Sequence, residues 1–111
     1  MGSFMPYRLF IDDLREPTSP DWIVARDSAS AIKLLETQGC PVEISFDHDL
    51  GGDDTAMPVA KRMIQLDLDA RGTYIPPDFH FIVHSANPIG RENIHELLAR
   101  YLAFRIDQPT T

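Results

Sequence analysis

A chain of 111 residues with 17 acidic and 10 basic side chains carries a formal charge of −7, which repels a nucleic-acid duplex unless basic residues gather on one face, and no such cluster occurs. Its length suits one domain able to bury about two thirds of its unfolded surface, and 43% hydrophobic with 24% charged residues is a globular balance. No apolar run approaches the roughly 18 residues needed to cross a bilayer, so no membrane partner is expected.

In chain order, residues 1–4 read as a vector-derived remnant ahead of a single domain spanning 5–104. The start MGSFMPYRL lacks the basic-then-apolar layout of a secretory leader, and Pro6 stands where a myristoylation signal needs Ser or Thr. YRLFID (7–12) is a short apolar strand that ends in acid and is followed by Asp13. WIVA (22–25) has strand character, but only about nine residues separate it from Asp12-Asp13, where a parallel crossover normally takes a dozen or more. If it is a parallel edge strand, the helix before it is reduced to a turn through LREPTSP. A helix is predicted from Asp27 to Gln38, with Asp27 capping, Ala31, Leu34 and Leu35 on one face and Gly39 stopping it.

Cys40 in QGCP has no partner for an internal disulfide, which points to a reducing cytoplasm and a packed thiol. PVEISFD (41–47) is the next strand, followed by His48, Asp49 and the loop glycines Gly51 and Gly52. A second helix is predicted behind an Asp54 or Thr55 cap, with Pro58 in its first turn, Val59, Met63, Ile64 and Leu66 at helical spacing, and Gly72 beyond. FHFIVHS (79–85) is the last strand. A third helix is predicted from Gly90 to Phe104 with Ile94, Leu97, Leu98 and Leu102 inward, and 105–111 reads as a frayed tail. No repeat, low-complexity segment or linker argues for a second domain.

Strands alternating with helices predict an α/β fold, an open three-layer sandwich built on a parallel sheet of about four strands with helices on both faces and no fifth strand. In such sheets ligands bind outside the carboxyl ends of the strands. Asp12-Asp13, Asp47-His48-Asp49 and His84-Ser85 therefore converge on one rim. Carboxylates gathered there repel one another unless a pKa rises or a cation sits between them, and hard aspartate oxygens suit Mg²⁺, with Mn²⁺ as the second choice.

LFIDD, ISFD about 35 residues later and FIVHSA resemble the receiver domain of response regulators, a flavodoxin-like fold. That resemblance implies Mg²⁺ binding by Asp12, Asp13 and Asp47, phosphoryl acceptance by Asp47, and phosphoryl contact by Ser85 with Ala86. The receiver's final strand and its Lys-Pro are missing, and neither Lys33 nor Lys61 substitutes, since both fall in predicted helices. LFIDDLREP, ISFDHDLG and HSANPIGRENI together are similar to a compact receiver-like family, the cyclic-phosphate processing receiver domains. Membership implies a metal-dependent phosphoesterase acting on a small phosphorylated nucleotide or an RNA end.

Such chemistry needs charge neutralisation on phosphate, a base and an acid. Asp12, Asp13, Asp47 and Asp49 are the candidate metal ligands. Asp47, His48 and His84 are the candidate catalytic groups, the two imidazoles as base and acid. Ser85, Asn87, Arg15 and Arg91 are candidate phosphate ligands, the arginines standing in for the absent lysine.

Blander roles exist for each. Asp12-Asp13 suits a capping pair, Asp49 a solvated acidic loop, His84 a hydrogen-bonded core histidine and Asn87 a turn before Pro88. Arg15 can simply close a turn and Arg91 pair along its helix with Glu92 or His95; His80 and His95 read as structural or exposed. The alternatives to an enzyme are a non-enzymatic phosphoacceptor acting through a protein partner, and a module that captures phosphate or a nucleotide without turnover. A haloacid-dehalogenase reading of DHD is weaker still, since about 60 residues follow it and that larger fold's remaining machinery needs more.

Overall fold

The computed structural model describes residues 6–107. Its elements are β1 (Arg8–Ile11), β2 (Trp22–Ala25), α1 (Ser28–Gln38), β3 (Glu43–Phe46), α2 (Met57–Asp69), β4 (His80–Val83) and α3 (Pro88–Asp107). The four strands form one parallel sheet in the order β2-β1-β3-β4. This is the α/β receiver-like architecture expected, and no fifth strand occurs among the described residues. Residues 1–4 and the end of the expected tail, 108–111, lie outside the description.

β2 is a parallel edge strand, and its approach through residues 12–21 contains no helix. Pro17 and Pro20 remove amide donors and restrict their predecessors, so a helix cannot form there. Turns replace it: Asp12 Oδ1 accepts from the amides of Leu14 and Arg15 at 2.9 and 2.8 Å. Arg26 braces the link from the far side, donating to the carbonyls of Asp12 (3.1 Å) and Arg15 (2.7 Å).

Register places Leu9 beside Ile23 and Ile44, Ile11 beside Ala25 and Phe46, and Phe46 beside Val83, so these side chains share one face. Against that face pack Ala31 and Leu35 of α1, Val59 and Met63 of α2, and Ile94 and Leu98 of α3, all at most 1% exposed. Both β2→β3 and β3→β4 step in the same direction across the sheet, and right-handed crossovers put their helices on the same side. The β1→β2 step runs the other way, but its connection is the proline-broken link. Among the described residues the opposite face, with Phe10, Trp22, Val24, Ser45 and Ile82, therefore carries no helix. The three-layer expectation is corrected to two layers, helices on one side of the sheet. Phe10 is nonetheless only 9% exposed, because His84 stacks on it at 4.8 Å and Trp22 meets its edge at 6.0 Å.

Helix boundaries differ from expectation at three ends. α1 starts as predicted, with Asp27 accepting from the Ser30 amide at 2.7 Å. α2 begins at Met57 after Ala56, without a side-chain cap. Asp54, expected to cap α2, instead accepts from the Ser28 amide (2.8 Å) and hydroxyl (2.5 Å) at the head of α1. α3 starts at Pro88 rather than Gly90, since Asn87 Oδ1 accepts from the Gly90 amide at 3.0 Å and proline suits the first helical position. It also runs past Phe104 to Asp107, so residues 105–107 are helical rather than frayed: Arg105 is tied to Asp67 and to the Ile75 carbonyl. No described helix is long and apolar enough to cross a membrane.

Candidate metal centre at the strand ends

The ladder continues one residue beyond the three strands that carry the acid and imidazole groups. The Asp47 amide donates to the Ile11 carbonyl and the His84 amide to the Phe46 carbonyl, both at 2.8 Å, while the Asp12 amide donates to Ala25 at 3.1 Å. Asp12, Asp47 and His84 thus leave adjacent strands at one level. Their ligand-capable atoms all lie within 4.8 Å of one another.

Asp12 is 1% exposed. Its Oδ1 takes the two turn amides and its Oδ2 accepts from His84 Nε2 at 2.9 Å. Burial pushes the Asp12 carboxyl up, but those two amides and His84 outweigh it and hold the group below its ordinary value. Asp47 is displaced the other way. Burial and the negative charge of Asp12 push it above the usual carboxylate range, Asp13 adds to the push, and His84 and the Ser85 hydroxyl offset only part. One carboxylate is thus favoured in its charged form while its neighbour resists charging, a balance that a positive charge between them would relieve.

Ser85, buried, favours the charged form of the nearby Asp47 carboxyl, and its hydroxyl accepts from the Asn87 amide at 3.1 Å. Asp13 stands at the rim beside Gly51, whose φ of +93° admits a turn that an L side chain resists; a Cβ there would sit 3.3 Å from Asp13 Oδ2. Arg15, exposed, reaches the His84 carbonyl at 3.4 Å, which brings its guanidinium to the end of β4. Lys33 and Lys61 are helical, as expected, and no lysine joins the rim among the described residues.

A second group flanks the first. Asp49 Oδ1 pairs with His48 Nδ1 at 2.8 Å, and Asp49 Oδ2 accepts from Asn87 Nδ2 at 3.2 Å. The His48 bond, then that of Asn87, lowers the Asp49 pKa. Asp49 therefore lies outside the three converging ligand groups and fastens its loop to the start of α3. The His48 ring lies flat against Gly90, where a Cβ would come within 2.4 Å of its Cγ. Gly90→Ala is expected to expel the ring and cost about 1–3 kcal/mol, the usual penalty of overpacking. Urea unfolding checks it, and in the Gly90→Ala/His48→Ala double variant much of the loss should be recovered, because the clashing ring is gone.

Arg91 is not part of either group; it lines a cleft with Val83, Pro88, Glu92 and His95 along α3. His80 faces solvent and pairs with Glu43 at 3.2 Å. One participant was absent from the expected set: Ser45, whose Oγ lies 2.6 Å from His84 Nδ1. Its signal was a hydroxyl in the middle of an apolar buried strand, on the face shared with Phe10 and Ile82.

A parallel α/β sheet with an acidic cluster at the carboxyl ends of β1 and β3 defines a receiver-like domain. Its family is narrower still: residues 7–100 match the model of the cyclic-phosphate processing receiver domain, and the chain belongs to that family. No curated protein and no solved structure matches the chain.

Proposed function

We propose that this protein is a metal-dependent phosphoesterase that opens cyclic phosphates on small nucleotides or RNA ends. The convergence of Asp12, Asp47 and His84 within 4.8 Å, in a chain of this family, carries the reading. The donor set fits a divalent cation: two carboxylates of opposed pKa displacement gain from a positive charge between them. Asp12 and Asp47 would hold Mg²⁺ or Mn²⁺, with Asp13 beside them, and the ion when bound would neutralise phosphate oxygens and acidify a water.

The chain's own residues supply the rest. Arg15 offers a guanidinium fork to the non-bridging oxygens at the end of β4. The Ser85 hydroxyl favours the charged form of Asp47. Asp49 anchors His48 at Nδ1, which leaves Nε2 to move a proton, the arrangement that orients a general acid or base. In the reaction the oxygen of water bonds to phosphorus, one ring P–O ester bond breaks, and the proton lost by water ends on the departing sugar oxygen. Cys40 takes no part: burial, with Asp67 nearby, pushes its thiol up to about 12, so it supplies no thiolate. That packed thiol also suits a reducing, cytoplasmic setting.

The test follows 2′,3′-cyclic nucleotides by phosphorus NMR with the protein and Mg²⁺ or Mn²⁺. Conversion of the cyclic resonance to a monoester, blocked by chelator, is expected. An unchanged spectrum with both metals overturns the phosphoesterase reading, and phosphorylation of Asp47 by a small phosphodonor would put a phosphoacceptor in its place.

A further inference from the structure

His84 uses both ring nitrogens. Nε2 lies 2.9 Å from Asp12 Oδ2 and Nδ1 lies 2.6 Å from Ser45 Oγ. Phe10 stacks on the ring at 4.8 Å and 8°, so the imidazole is clamped in plane as well as at both ends. Ser45 is 3% exposed and sits beneath the rim, within the sheet. It is out of a substrate's reach and does not act as a nucleophile. We infer that Ser45 is the positioning residue that lets His84 Nε2 join Asp12 and Asp47 as a metal ligand, giving a site that prefers a first-row transition ion to Mg²⁺. This rests on reading the rim as a metal centre and adds to it the identity of the third ligand and the class of ion.

The chemistry turns on one proton. A neutral imidazole carries a single N–H. Ionised Asp12 only accepts, so the neutral ring turns an N–H on Nε2 toward it and accepts the Ser45 hydroxyl's hydrogen bond at Nδ1. Two neighbouring ligands of an octahedral ion, each about 2.1 Å from it, stand about 3.0 Å apart. The Nε2–Oδ2 separation of 2.9 Å is therefore already the bite of a cation. Only the Nε2 proton stands in its way. Because a serine hydroxyl both donates and accepts, it can turn round and accept a hydrogen bond from Nδ1–H; the Nε2 proton passes to solvent, solvent returns one to Nδ1, and the ring stays neutral. A partner on the far nitrogen that fixes tautomer and ring plane is the usual support of a ligating histidine. A nitrogen donor among carboxylates shifts preference from Mg²⁺ toward Mn²⁺, Fe²⁺ or Zn²⁺.

The test uses the full chain with histidine labelled by ¹⁵N, and ¹¹³Cd²⁺ as a diamagnetic probe, beside calorimetric titrations with Mn²⁺ and Mg²⁺. Without metal, His84 should show the proton on Nε2. With ¹¹³Cd²⁺, Nε2 should show one-bond coupling to cadmium and the proton should appear on Nδ1. Ser45→Ala should weaken Mn²⁺ binding about 10- to 100-fold, the range seen when an outer partner of a ligand is removed, and Ser45→Thr should restore it. Mg²⁺ affinity should change much less. Retention of the Nε2 proton in a cadmium-loaded wild-type protein overturns the inference and leaves the phosphoesterase reading standing. Failure of the wild type to bind any of the three ions overturns both.

Discussion

Asp47→Asn should stabilise the metal-free protein at neutral pH while removing metal-dependent ring opening. Burial and the nearby charge of Asp12 hold the Asp47 carboxyl above its ordinary pKa, so the folded state binds that proton more tightly than the unfolded state. Such a group contributes stability below its unfolded pKa of about 4, and the contribution is lost as pH rises through the folded value. Wherever Asp47 is ionised, its charge therefore works against the fold. Asparagine removes the charge yet keeps an oxygen for Ser85 and adds an amide that Asp12 can accept from. A gain of about 0.5–2 kcal/mol is expected, the common yield of relieving a strained functional site. Asp12 behaves oppositely, since its lowered pKa contributes stability above about pH 4 that is lost as pH falls through the folded value. The advantage of the variant should consequently shrink toward zero as the pH is lowered through Asp47's own range. Turnover should fall by at least about a hundredfold, equivalent to roughly 2.7 kcal/mol of lost charge stabilisation. Thermal unfolding at pH 7 and pH 3.5, with the phosphorus NMR assay alongside, measures both halves. A variant less stable than wild type at pH 7, or one that still turns over with metal, would show that Asp47 is not the strained ligand of the centre.

The rim itself was legible because strands announce their ends. Each of the runs LFID, ISFD and FIVH closes on a polar residue, and parallel pairing then sets Asp12, Asp47 and His84 at one level without further information. What local pattern could not supply was anything decided by residues far apart in sequence. Asp54 looked like a cap for the helix that follows it, yet its carboxylate serves Ser28, 26 positions earlier. The glycine at position 90 reads only as the start of a helix, whereas the His48 ring occupies the space a side chain there would need. The second face of the sheet was assigned helices by the general habit of α/β proteins, although Pro17 and Pro20 in the first connection already argued against the one that would have lain there. Ser45 and Asp67 share a further reason for escaping notice. Each is a buried polar residue among apolar neighbours, and such a residue reads as noise until its partner is known.

Asp67→Ala is expected to cost about 3–5 kcal/mol, enough to unfold much of a domain of ordinary stability. The carboxylate, 0% exposed, stands one turn after Met63 on the inward side of α2. Oδ1 accepts from the Ile75 amide at 2.8 Å, Oδ2 from the Tyr101 hydroxyl at 2.6 Å, and Arg105 Nη1 approaches both at 3.3 and 3.4 Å. The same guanidinium donates to the Ile75 carbonyl at 2.7 Å. One side chain thus closes the end of α2, the segment that leads into β4 and the last turns of α3. Alanine would leave the Tyr101 hydroxyl and the Ile75 amide without their acceptor and the Arg105 cation with the Ile75 carbonyl alone, and most of the loss comes from those stranded groups rather than from the missing attraction. Burial, reinforced by Asp67, already pushes the Tyr101 hydroxyl up to about 12, so it stays a donor throughout the working range. The converse substitution, Arg105→Met, removes the cation but leaves Asp67 its two other donors and keeps apolar bulk along α3, so it should cost clearly less than Asp67→Ala. Urea unfolding at pH 7 with an unchanged m-value separates a true loss of stability from a change in the unfolded chain. Metal affinity per folded molecule should be the same in both variants as in wild type, because neither residue reaches the rim. A loss below about 1 kcal/mol for Asp67→Ala would mean that water enters and satisfies the stranded groups, and that this junction opens more readily than its burial implies.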